Sequence, residues 1–105
     1  MSANNLFLRL LKKVFNHELR FPDGSTIDFS GPESLLCVQA DRKMMDICWY
    51  WQKGGIRARE IRRIDIDKWR SPHNGEKLSD EKREEILEKI REFSKKHRIA
   101  LQEIS

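Results

Sequence analysis

The sequence predicts an α+β fold: a five- to six-stranded antiparallel meander sheet, one long C-terminal helix packed on one face, and a short N-terminal helix. Three observations carry this. Apolar residues recur with period two from Glu18 to Lys68, broken by clusters of turn-forming residues. The period changes to that of a helix over 79–97. The strand registers implied by the turns also agree on one apolar face, and a one-residue slip would turn any strand inside out.

Residues 1–17 place Leu6, Phe7, Leu10, Leu11 and Val14 at helical spacing, with Arg9, Lys12 and Lys13 opposite and Asn4 or Asn5 as cap. The sheet then occupies 18–68. Pro22-Asp23-Gly24 suits a three-residue hairpin loop with Gly24 in the left-handed region. Ser30 to Glu33, Asp41 to Met44, and Lys53-Gly54-Gly55 supply the later turns. Even-length loops at these points predict an inner face of Leu19, Phe21, Ile27, Phe29, Leu36, Val38, Ala40, Met45, Ile47, Trp49, Trp51, Ile56 and Ala58. The outer face then holds Arg20, Asp28, Leu35, Cys37, Gln39, Asp46, Cys48, Tyr50, Gln52, Arg57 and Arg59, with Cys37 opposite Cys48. Arg62-Arg63 breaks the alternation and suggests a bulge.

Trp69 to Lys77 reads as a loop. Ser79 is a suitable N-cap, with Asp80 and Glu81 favourably placed in the first turn's dipole. The helix of 79–97 buries Ile86, Leu87, Ile90 and Phe93 and ends in Lys95, Lys96 and His97. Residues 99–104 form a last strand returning to the sheet.

At 105 residues, with 38% hydrophobic and 36% charged residues, the chain fits one globular domain spanning 1–105. No apolar run reaches the roughly 20 residues that cross a bilayer, and Arg9, Lys12 and Lys13 break up any signal-peptide core, so a cytoplasmic protein without membrane contact is expected. Cys37 and Cys48 form no CxxC and no metal-spaced cluster, so they are expected to be reduced, and neither metal nor cofactor is expected. The net charge of +4 is concentrated in 1–17 and in 53–70, where Lys53, Arg57, Arg59, Arg62, Arg63, Lys68 and Arg70 face only Glu60, Asp65 and Asp67. A basic strip suits an acidic partner, whether nucleic acid or protein, and equally an edge strand kept soluble by its cations.

No constellation points to catalysis. His17 and His97 lie at helix ends, where a cation suits the dipole, and His73 lies in a loop; none accompanies a nucleophile in a known setting. Asp65 and Asp67 share a strand face but have Arg63 and Lys68 beside them, which reads as a solvated strand end. Asp46 followed by Glu60 and Arg62 has a permissive nuclease-like spacing, with arginine where lysine is usual. Trp49-Tyr50-Trp51 beside Arg57 and Arg59 would suit base stacking, but the register turns both tryptophans to the core. Tyr50 with Arg57 and Arg59 is left as an exposed pairing of residue types common at interface hot spots.

The stretch from Trp69 to Ile86 resembles a family of bacterial immunity proteins from polymorphic-toxin and contact-dependent inhibition systems, immunity family 74. The match consists of Trp69, Pro72, His73, Gly75, Glu76, Ser79, Arg83 and Ile86: a Trp, a Pro-His-x-Gly-Glu loop, then a Ser-capped helix. The N-terminal helix has no counterpart in it. The resemblance implies a non-catalytic protein that binds a cognate toxin domain and blocks its active site. Such toxins are often basic nucleases with acidic inhibitors, and this chain is basic. Two readings stay open: a toxin of another kind, or an interface on an acidic patch such as the first turn of the helix. The expected partner-binding residues are Asp46, Tyr50, Arg57 and Arg59. The alternative is a small nucleic-acid-binding module using the basic strand 53–70.

Overall fold

A computed structural model of the protein describes residues 17–53 and 55–105, and the expected N-terminal helix lies outside them. The described residues form seven strands, β1 (Leu19–Arg20), β2 (Thr26–Gly31), β3 (Ser34–Val38), β4 (Met44–Cys48), β5 (Tyr50–Gln52), β6 (Gly55–Arg62) and β7 (Ala100–Ile104), with one α-helix, α1 (Asp80–Lys96), between β6 and β7. The class is α+β as expected, but the single meander is corrected to two sheets. The first has order β1-β2-β3-β4 and the second β5-β6-β7. All pairings are antiparallel except β6 with β7, which is parallel. The chain leaves the first sheet at Trp49, which is fully buried.

The first hairpin is set by local chemistry. Gly24 has φ +90°, where a side chain would be strained. The Phe21 N–H donates to the Ser25 carbonyl at 2.9 Å, so the loop is the expected three residues and Leu19 pairs with Ile27. Asp23 accepts from the Ser25 N–H (2.8 Å), from the Ser25 hydroxyl (2.6 Å) and from Lys89 Nζ of α1 (2.7 Å). The Lys89 hydrogen bond, helped by those from Ser25, holds the Asp23 carboxyl well below the usual carboxylate range. A depressed folded-state pKa stabilises the fold above the unfolded value of 3.8 and loses that stabilisation as pH falls further. Asp23→Asn is therefore expected to cost about 1 kcal/mol at neutral pH, a figure discounted for the half-exposed carboxylate. The difference from wild type should shrink once the pH drops below about 4. Urea unfolding at pH 7 and pH 3 checks this, and a pH-independent difference would refute the linkage.

The second turn departs from expectation. Gly31 pairs with Ser34, closing a tight loop, while Phe29 pairs with Leu35, so Ser30 is bulged. That extra residue inverts β3. Leu35 and Cys37 face the core, whereas Leu36 and Val38 share the outer face with Asp28, Asp46 and Met44. The third loop holds Gln39 to Lys43, with Arg42 at φ +77°, and leaves Ala40 exposed. Cys37 consequently lies opposite Met45 and Cys48 opposite Ser34, so the expected cysteine neighbours are on opposite faces. Both are free, Cys37 buried and Cys48 exposed. Burial pushes the Cys37 thiol up to about 11.

In the second sheet Tyr50 pairs with Glu60 and Trp51 with Arg59, with an irregularity before Gln52. Ala58 thus shares the face of Tyr50 and Glu60 rather than that of Trp51. The expected bulge at Arg62-Arg63 is the end of β6, followed by a 3₁₀ turn over Arg63–Asp65.

Helix α1 follows from its own sequence. Ser79 accepts from the Lys82 N–H at 3.1 Å, and Ile86, Leu87, Ile90 and Phe93 are buried together with Ser94. They share one core with Ile27, Leu35, Met45 and Ile47 of the first sheet, Trp49 between the sheets and Ile61 of the second, with Ile66, Trp69 and Leu78 completing it. No helix among the described residues is long and apolar enough to cross a membrane.

Candidate interaction surface

The β5–β6 hairpin brings together most of the sequence-predicted partner-binding residues, though not as expected. Alternation along the strands sends Trp51, Arg57 and Arg59 to one face and Tyr50, Glu60 and Arg62 to the other. Arg59, expected on the outer face, is only 6% exposed. Its guanidinium lies 3.5 Å from the Trp51 ring centroid and 5.6 Å from that of Trp49. Burial lowers the Arg59 pKa, and the Glu33 charge opposes that shift. The side chain therefore acts as a packed cationic base beneath Trp51.

Trp51, expected in the core, is 45% exposed. One side of its indole rests against Arg59, and its backbone N–H donates to Glu33 Oε2 at 3.3 Å. Glu33 also accepts from the Trp49 N–H through its carbonyl at 3.1 Å. The turn between β2 and β3 thus anchors the start of β5, and Trp51 is presented in a fixed orientation. Arg57 on the same face and Lys53 in the adjoining turn are exposed and make no ion pair among the described residues.

On the opposite face, Tyr50 is half-buried under Arg62, whose guanidinium is 4.8 Å from the ring centroid. The Asp65 charge is the main cause that raises the Tyr50 pKa. Gln52 bonds across to Gln102 of β7.

Asp46 belongs to a different assembly. Its carboxylate receives both Arg70 Nε and Arg70 Nη2 at 2.6 Å, a bidentate pair that holds Asp46 below and Arg70 above their ordinary pKa values. The Arg70 N–H donates to the Met44 carbonyl at 2.7 Å, and Lys43 Nζ contacts Glu76 Oε1 at 2.7 Å. His73 Nδ1 lies 2.7 Å from Glu76 Oε2. With Trp69 buried, the loop 69–77 is a clamp over the edge of β4.

The remaining candidates are dispersed. Glu60 pairs with Arg62 at 3.6 Å, so the Asp46, Glu60 and Arg62 pattern is divided between two sheets. Asp65 stands in the 3₁₀ turn and not on a strand beside Asp67. His17 and His97 approach with ring centroids 5.8 Å apart, both against Phe29. Among the described residues no three His, Cys, Asp or Glu side chains gather as a metal site.

The feature that sequence reasoning missed is Trp51. The signal was its position three residues before Gly54-Gly55, where the chain has already left the first sheet. Strict alternation carried across Trp49 assigned it to the core instead. In comparisons with known proteins, no family model, no curated protein and no solved structure matches the chain.

Proposed function

We propose that the protein is an immunity-type inhibitor, acting in the cytoplasm of a bacterial cell, that binds a cognate toxin domain and neutralises it without catalysis. The single observation that carries the binding reading is Trp51: a large aromatic side chain, half-exposed, stacked on a buried arginine and flanked by Lys53 and Arg57, which make no ion pair among the described residues. Tryptophan and arginine dominate interface hot spots, and a preorganised ring loses little entropy on binding. The resemblance of Trp69 to Ile86 to immunity family 74 supports the toxin as partner. Of the expected contact residues, Arg57 shares the face of Trp51 and serves directly, whereas Tyr50 lies on the opposite face under Arg62. Arg59 supports Trp51 from beneath, and Asp46 holds the loop 69–77 through Arg70.

A pull-down of the tagged chain from its native lysate, with nuclease and at high salt, tests this. Recovery of one protein that inhibits growth when expressed alone, and ceases to do so with this chain, is the expected outcome. A second reading is favoured by the same exposed ring. Trp51 with Arg57 and Lys53 also suits a stacked base and its phosphates. Recovery of nucleic acid alone, lost steeply with salt, would replace the inhibitor by a nucleic-acid-binding module.

A further inference from the structure

We infer that the outer edge of β7 is a docking site where an extended basic segment of a protein partner adds as a further strand to the second sheet. This deepens the protein-binding reading above and rests on it for the partner's being a protein. The two sheets have four outer edges, and three are blunted. β1 is two residues long, and the carbonyls leading into it, of His17 and Glu18, are taken by His97 Nε2 (2.8 Å) and Lys96 Nζ (2.7 Å). The Met44 carbonyl of β4 is taken by the Arg70 N–H. β5 is three residues long, and its Trp51 N–H is capped by Glu33. β7 is five residues long, and among the described residues nothing bonds to its outward backbone groups. A strand paired on one side leaves alternate N–H and C=O groups free on the other, ready for strand addition.

The surroundings of that edge select the occupant. A groove runs between α1 and β7, with Ile99 and Leu101, both half-buried, as its floor. Its rim carries Glu88, Glu92 and Glu103 against Arg91 and Lys95. Arg91 is already engaged by Glu103 (2.7 Å) and Glu84 (3.0 Å), and Lys95 lies 3.4 Å from Glu92. Glu88 is exposed with no ion pair among the described residues. The unbalanced charge is therefore negative, which suits lysine or arginine alternating with apolar side chains that reach the floor. A second copy is a poor occupant, because β7 contains Glu103 and no basic residue and would bring glutamate to a glutamate rim. The added strand would lie about 14 Å from β5, three strand spacings away. A partner of ordinary size spans that distance and Trp51 together.

The test uses the full chain and two fluorescein-labelled peptides, one alternating valine with lysine and one alternating valine with glutamate. Binding is followed by anisotropy, and the amides of 100–104 by hydrogen exchange. The lysine peptide is expected to bind and to protect 100–104. The double variant Glu88→Lys/Glu92→Lys, both positions exposed on the helix, should weaken it by about tenfold with an unchanged circular dichroism spectrum. Equal binding of the glutamate peptide, no protection of 100–104, or indifference to the double variant would each overturn the inference. Protection of 100–104 that grows with protein concentration alone would overturn it in favour of a second copy. None of these readouts depends on the toxin, so failure here is distinct from failure of the pull-down.

Discussion

Replacing Phe93 by alanine is expected to lower the unfolding free energy by about 3–5 kcal/mol, the largest effect of any single substitution considered. Phe93 is fully buried on α1 and meets Phe29 edge-on at 4.9 Å between centroids, with Trp49 at 6.1 Å. It is the ring at which the helix, the first sheet and the departure of the chain at Trp49 converge. Removing it takes away apolar area and leaves a cavity that two large rigid rings cannot collapse to fill. Small domains are stable by only about 5–15 kcal/mol, so the variant should be largely unfolded at modest urea concentrations. Tryptophan fluorescence across a urea titration measures it. A loss below about 1 kcal/mol would mean that α1 is not packed on the first sheet as described.

The second large effect is on binding. Trp51→Ala is expected to weaken the complex with the recovered partner by at least about 2 kcal/mol, roughly thirtyfold. Stability should change less, by about 1–2 kcal/mol, since the ring is half-exposed and buried Arg59 keeps Trp49 as a second ring when Trp51 is removed. Titration calorimetry of wild type, Trp51→Ala and Trp51→Phe against the partner separates the two quantities. Retained affinity in Trp51→Ala would remove this surface from the interface.

Much of the fold could be read along the chain because its determinants are local. The helix is specified by Ser79 at its cap and by Ile86, Leu87, Ile90 and Phe93 on one stripe, and it spans Asp80–Lys96. Gly24 set the first loop, and the inward faces of β2 and β4 followed from alternation within each strand. The surface hairpin was visible in part: Tyr50 and Arg57 lie on it, whereas Arg59 is buried in it.

Three features needed the tertiary structure. The bulge at Ser30 inverted β3, because a single unpaired residue exchanges the two faces and Leu35-Leu36 or Cys37-Val38 offers an apolar residue to either. The exposure of Trp51 depended on the chain changing sheets at Trp49, after which alternation no longer refers to the same core. The parallel pairing of β7 with β6 depended on α1 crossing back over the sheets, a connection that joins residues about forty positions apart. The helix, the first turn and the strands as segments were specified locally, since caps, glycine conformations and periodicity act over a few residues. Which face each strand turns inward, which edge stays open and which tryptophan meets solvent were decided only by packing, because those outcomes hinge on contacts between distant residues.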